Sequence, residues 1–264
     1  MKFLEFIKNG FSRVLSVDAE FLLDLTGTIP QRILCLVFKD IFTKEKFRYW
    51  VDDKEFHPPF FDYENCLLIS FMAAAEHGAF LQLYHGKPKY MWDCYVENKC
   101  LYGPFLEKNK TGLLDTCARY NIETISEDKK DKELDFILRR GEYENLPFKY
   151  SAADQKRIMD YCLTDVEELE QLFIAQCQDI EAKNKLITDE DFERTLFEIT
   201  FRGYTQGNIA QIQRYGIPVD TKLIQRFNKY WELVKNKIIT RRNKTLNVYT
   251  DDLKFNREKF KQLV

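Results

Sequence analysis

Two carboxylates two residues apart close an apolar run near the start of the chain, Arg13-Val14-Leu15-Ser16-Val17-Asp18-Ala19-Glu20-Phe21. Side chains along a strand alternate with period two, so Asp18 and Glu20 project from one face. Neighbouring anions repel and raise each other's pKa unless a cation lies between them, which makes the pair a candidate site for a divalent ion. The same Asp-x-Glu also describes an exposed polar strand end. Far downstream, Ile158, Tyr161, Leu169 and Leu172 fall on one helical stripe, and Asp165 lies within it, four residues after Tyr161 and four before Leu169. A carboxylate on a core-facing stripe is costly unless a cation or donors meet it. A surface position at the edge of the stripe fits equally, since Glu167, Glu168 and Glu170 make this helix heavily charged.

The elements that must position these groups follow from pattern. After the first strand, 32–38 and 46–51 read as strands separated by a polar turn at 39–45, and His57-Pro58-Pro59 breaks the chain. Cys66 to Phe71 is a short continuous apolar run, as expected of a buried central strand. Helix formers run from Met72 to His85 and stop at Gly86, with Pro88 beyond. Tyr90-Met91-Trp92 reads as a short strand, after which Asp93 caps a helix to about Leu101. Further helices are expected at 112–121 and 131–140, and Ser151-Ala-Ala-Asp154 has the form of a capping box opening a helix to about Ala182. From about Asp189 the pattern is helical, punctuated by Gly216 and Pro218, so the linker is expected near residue 185. Early strands, late helices and alternation between them predict a mixed sheet covered by helices.

The 264 residues are 45% hydrophobic and 15% aromatic, which argues against disorder. Charge is uneven. From Thr221 to Val264 there are 12 Lys and Arg against 4 Asp and Glu, net +8; of totals of 40 and 42 this leaves 28 basic and 38 acidic residues, net −10, elsewhere. An acidic, cation-binding body joined to a phosphate-seeking tail is the implication. Seven cysteines without a Cys-x-x-Cys pair point to neither a disulfide framework nor a zinc site, and so to a reducing compartment. The charged start Met1-Lys2-Phe3-Leu4-Glu5 is unlike a signal peptide, and no uncharged run approaches a membrane span, so a soluble intracellular protein is expected.

A strand with Asp-x-Glu followed far downstream by a helix with Tyr-x-x-x-Asp resembles the DEDD exonuclease superfamily, in its tyrosine branch, which includes RNase D and the proofreading domains of family A DNA polymerases, phage ones among them. The resemblance implies a ribonuclease H-like α/β fold and a place in the cytoplasm of a bacterial or phage-infected cell. It also implies that Asp18, Glu20 and Asp165 hold two divalent ions, Mg²⁺ or Mn²⁺, while Tyr161 orients the attacking water. Two ions about 4 Å apart stabilise both the attacking and the leaving oxygen of a phosphodiester, so the chemistry agrees with the residue types. The family has a fourth carboxylate at the start of an intervening helix. Glu76, in Ala73-Ala74-Ala75-Glu76-His77-Gly78, and Asp93 are the candidates; Glu76 is preferred because its helix follows the apolar strand, whereas Asp93 suits a helix cap. A Glu departs from the usual Asp and puts full activity in question. His77 neighbours Glu76 but is expected on the opposite side of the helix, and His57 and His85 are expected at a loop and a helix end.

Arg214-Tyr215-Gly216-Ile217-Pro218-Val219-Asp220 resembles the signature that joins exonuclease and polymerase domains in family A; a helix stop and turn would also account for it. A basic helix follows, in which Lys222, Arg226, Lys229, Arg241 and Arg242 would track a nucleic-acid backbone as a polymerase thumb does, or form a solvated face. Tyr230 and Trp231 would pack or stack on bases. No polymerase catalytic motif lies in the sequence, and too little precedes Asp18 for a 5′ nuclease domain. The expectation is therefore an exonuclease domain over 1–186 and the start of a polymerase domain over 187–264. Its substrate would be a single-stranded DNA 3′ end, released as nucleoside 5′-monophosphates, with a polymerase domain as partner and no membrane. The rival expectations are an RNase D-like RNA exonuclease and a degenerate fold that only binds nucleic acid.

Overall fold

The computed structural model describes residues 2–23, 30–51, 62, 64–84, 86–103, 110–146 and 149–263. The His57-Pro58-Pro59 break and His85 lie outside the described residues. Two compact units are present, Met1–Gly216 and Ile217–Val264.

The first unit is built on strands β1 (Arg13–Leu23), β2 (Pro30–Asp40), β3 (Lys46–Trp50), β4 (Cys66–Ser70) and β5 (Tyr90–Asp93). Their order is β3-β2-β1-β4-β5, with β1–β2 and β2–β3 antiparallel and β1–β4 and β4–β5 parallel. This is the mixed sheet that the pattern predicts. Alternation along β1 divides the core: Val14 joins a cluster with Leu169, Leu172 and Phe173, whereas Leu15, Val17 and Ala19 join Ala79 and Phe80. The helices α2 (Ala74–Tyr84) and α6 (Ala152–Lys183) supply those partners, and between them in the chain come α3 (Cys94–Tyr102), α4 (Leu113–Arg119) and α5 (Glu127–Leu138). The all-buried β4, Cys-Leu-Leu-Ile-Ser, is the continuous apolar run expected of a central strand.

Cap chemistry sets several boundaries. Ser151 accepts from the Asp154 amide and Asp154 reaches back, closing the foreseen capping box. α5 starts four residues earlier than expected because Ser126 caps it. α2 starts at Ala74, two residues late, since Met72 is left-handed at φ 63°. The first helix, α1 (Lys2–Gly10), was not foreseen. It buries Phe3 and Ile7, one helical turn apart, and Phe3 stacks on Phe192 with ring centroids 5.7 Å apart.

The main departure lies beyond residue 185. α7 (Asp189–Tyr215), capped by Thr188, packs on β5, α2 and α1, so the first compact unit runs to Gly216 instead of closing near the expected linker. Gly203 makes this possible: a Cβ there would lie 1.9 Å from the Met91 carbonyl oxygen. In the second unit α8 (Thr221–Leu246) is capped by Asp220, and an isolated bridge between Tyr249 and Phe255 precedes α9 (Arg257–Leu263). No described helix is long and apolar enough to cross a membrane.

Candidate active site

β1 presents Asp18 and Glu20 at the half-buried end of the central sheet, on the side of α6. Glu20 pairs with Cys35 and Phe21 with Ile33, so the register slips directly after Glu20. Such irregularities bend a strand and re-aim its side chains, and they concentrate beside active sites. From α6, the Cys162 thiol donates to Asp18 Oδ2 at 3.0 Å. Ligand atoms of Asp18, Glu20 and Cys162 all lie within 4.8 Å of one another.

Tyr161 and Asp165, each 8% exposed, lie one turn apart on α6, as the stripe requires. Among the described residues, Asp165 belongs to no group of three that meets the 4.8 Å spacing. Both its oxygens accept from Lys130 Nζ on α5, at 2.8 and 2.9 Å. Glu168, a further turn along and 3% exposed, accepts from the Ile125 amide at 3.3 Å.

The fourth-carboxylate candidates separate by their partners. Asp93 is saturated: its oxygens accept from the amides of Met72, Ala73, Tyr95 and Val96 at 3.0–3.3 Å. It ties the start of α2 to the start of α3. Glu76 is 3% exposed, and its Oε2 has no hydrogen-bond partner among the described residues. Buried polar atoms in folded proteins are nearly always paired, so this oxygen, like the equally unpaired Oε2 of Glu168, calls for an explanation.

Electrostatics joins these groups into one neighbourhood. Burial, then the charge of Asp165, pushes Asp18 up to about 6, against the Cys162 thiol and Lys130. Glu20 is raised well above the carboxylate range by burial, then by Asp18. Glu76 is raised by burial and then by Asp18 as well. Glu168 is pushed up to about 7 by burial and then by Asp165. Burial, then Asp165, Glu20 and Asp18, raises Tyr161, so its phenol keeps its proton at neutral pH. Asp18, Glu20, Glu76 and Glu168 are thus all held above the ordinary carboxylate value by burial and by the charge of a neighbouring carboxylate. The donors suit a hard divalent cation: carboxylate oxygens dominate, and Glu76 offers a buried oxygen that no protein donor satisfies.

His77 is accounted for structurally. Its Nε2 lies 3.2 Å from the Gly203 carbonyl on α7, and burial lowers its pKa to about 4, so it is a neutral packing residue. Lys222, Arg226, Lys229, Arg241 and Arg242 are all exposed on α8, along with Tyr230 and Trp231. Sequence reasoning missed Cys162, Lys130 and Glu168. In the sequence Glu168 reads only as surface charge, and Lys130 lies in Lys129-Lys130-Asp131-Lys132-Glu133, which reads as a solvated helix face.

An open pocket of about 350 Å³ lies beside the cluster between α5 and α6, walled by Tyr161, Thr164, Lys129, Lys156 and Arg157 among others. Arg157 is held in it by a bidentate pair with Glu133 at 2.8 and 3.1 Å.

No protein-family model and no curated protein sequence matches the chain. Solved structures do. A nuclease solved in its apo form is 10% identical, with 82% of this chain and 92% of that one covered and a TM-score of 0.52. Brucella melitensis NrnC bound to pGG is 12% identical, with coverage of 80% and 92% and a TM-score of 0.52. At these identities the likeness is one of fold: the chain has an α/β architecture, a mixed five-stranded sheet flanked by helices, of the kind these nucleases have.

Proposed function

We propose that the first unit is a metal-dependent 3′–5′ exonuclease that trims single-stranded DNA ends to nucleoside 5′-monophosphates, as the proofreading part of a DNA polymerase. The observation that carries this reading is the convergence of Asp18, Glu20 and Asp165 with the unsatisfied Glu76 oxygen in one buried acidic neighbourhood. A purely structural core has no use for such a cluster, because every carboxylate in it opposes the ionisation of the others.

Asp18, Glu20, Asp165 and Glu76 would hold two Mg²⁺ or Mn²⁺ ions, which when bound supply a nucleophile at neutral pH and stabilise the attacking and leaving oxygens. The chain's own contribution is alignment. Tyr161, kept protonated by burial and then by its anionic neighbours, offers its hydroxyl to orient the attacking water. Cys162, whose thiol pKa is raised by burial, keeps its proton and directs it at Asp18 Oδ2, which fixes the carboxylate's rotamer. Asp93 acts at a distance by locking the start of α2, the helix that carries Glu76.

The link to a polymerase rests on the Arg214–Asp220 resemblance, whose Gly216 ends α7 with φ 74° and whose Asp220 caps α8. The exposed cations and aromatics of α8 suit contact with a nucleic-acid backbone and its bases. Likeness to a nuclease solved with pGG favours a second reading, in which the substrate is RNA or a short oligonucleotide. Parallel digestion of end-labelled single-stranded DNA and RNA with Mg²⁺ or Mn²⁺ decides between them; binding without cleavage of either would leave a nucleic-acid-holding fold.

A further inference from the structure

Among the described residues, Asp165 is the carboxylate of the cluster that an ion pair already holds. Lys130 Nζ takes both its oxygens, and the same ammonium acts electrostatically on Asp18 and Glu168 and lies 5.9 Å from the centroid of the Tyr161 ring. Lys130 belongs to the first turn of α5 and its side chain is 24% exposed, so the flexible four-carbon stem has water to move into. A divalent cation and an ammonium bound to one buried carboxylate repel each other over a few ångströms of low-dielectric space. An ammonium driven off Asp165 remains at the mouth of the acidic cluster, where the anion to be expected is a phosphate of the nucleic acid.

We propose that Lys130 is the stand-in cation of the metal-free site: it neutralises Asp165 until a metal ion takes its place, and then moves to the substrate phosphate, which it positions. This inference rests on the exonuclease reading for its second half only. Lysine suits the exchange because its ammonium is a point charge on a pliable stem, whereas the planar fork of arginine would hold Asp165 in a rigid bidentate pair.

The test compares Lys130→Met and Lys130→Arg with the unaltered chain by Mn²⁺ titration calorimetry, with circular dichroism and thermal melting to establish folding. A substrate titration on 5′-labelled single-stranded DNA accompanies it. Lys130→Met is expected to bind Mn²⁺ roughly tenfold tighter, because the competing charge is gone. At saturating Mn²⁺ its KM is expected to rise roughly tenfold with kcat little changed, the signature of lost binding that ground and transition states share. Lys130→Arg is expected to bind Mn²⁺ no tighter than the unaltered chain and to restore KM in part. Mn²⁺ affinity in a folded Lys130→Met that equals or falls below that of the unaltered chain would overturn the proposal and leave Lys130 a structural ion pair. Tighter Mn²⁺ binding with unchanged KM would overturn the phosphate half. If the unaltered chain cleaves nothing, the exonuclease reading fails, and anisotropy of labelled single-stranded DNA in Mn²⁺ replaces KM: binding unweakened in Lys130→Met then overturns that half.

Discussion

The thiol of Cys162 donates a hydrogen bond to Asp18 across 3.0 Å, joining α6 to β1 at the point where the candidate site begins. This hydrogen bond favours the ionised carboxylate against the burial that raises it to about 6. Cys162→Ala removes the donor, so the Asp18 pKa rises further and protons compete longer with a metal ion. Mn²⁺ affinity of the variant should fall severalfold at pH 6 and recover by pH 8, whereas Cys162→Ser, which keeps a donor, should shift less. Calorimetric titration at the two pH values checks this.

Glu76 and Asp93 should fail differently. Glu76→Ala removes a carboxyl whose Oε2 has no hydrogen-bond partner among the described residues, so the fold should lose less stability than Asp93→Ala while cleavage is lost. Asp93→Ala strands four amide N–H groups and should cost about 1–3 kcal/mol in a urea melt, with partial cleavage retained in the folded fraction. The opposite pattern would move the fourth carboxylate to Asp93.

Tyr161→Phe keeps the ring and deletes only the hydroxyl. Since that phenol stays protonated, its loss should lower kcat by roughly 10²-fold and leave KM and thermal stability nearly unchanged. A steady-state comparison on the 5′-labelled substrate reads both.

The acidic cluster makes the metal-free chain sensitive to alkali. Asp18, Glu20 and Glu76 have folded pKa values above their unfolded ones, so the stability they contribute is full below about pH 4 and is lost as pH rises through about 6, where Asp18 ionises. On the proposed reading Mn²⁺ would bind the ionised groups and restore what their repulsion removes. The Tm gain from Mn²⁺ should therefore be larger at pH 8 than at pH 5.5 and vanish with EDTA.

Gly203→Ala should be the most damaging glycine substitution in α7, because the Met91 backbone cannot yield to a Cβ 1.9 Å away. Gly207→Ala meets only the His77 ring and the Lys87 stem at 3.0 Å and should cost less. Urea midpoints of the two variants establish the order.

Much of this was legible in the sequence because it rests on local periodicity. Alternation put Asp18 and Glu20 on one face of β1, and the stripe through Tyr161 and Leu169 left Asp165 either inward or at the stripe edge, of which the structure has the buried one. The Ser151 and Asp93 caps and the stop at Gly216 likewise announce themselves by residue type. What stayed hidden is tertiary. Lys130 contacts Asp165 across 35 residues from within a charged run that looks solvated. The stretch at 185 reads as a linker until Phe192 and Ile199 are seen buried against the sheet's own cluster, and Phe3 and Ile7 signal α1 only by one apolar repeat.

The most direct test of the account is digestion of a 5′-labelled single-stranded DNA with Mn²⁺, with EDTA and Asp18→Ala as controls. The account predicts a ladder that shortens from the 3′ end and disappears in both controls. An intact substrate after prolonged incubation of the folded, Mn²⁺-loaded chain, or a ladder that survives in folded Asp18→Ala, would contradict it.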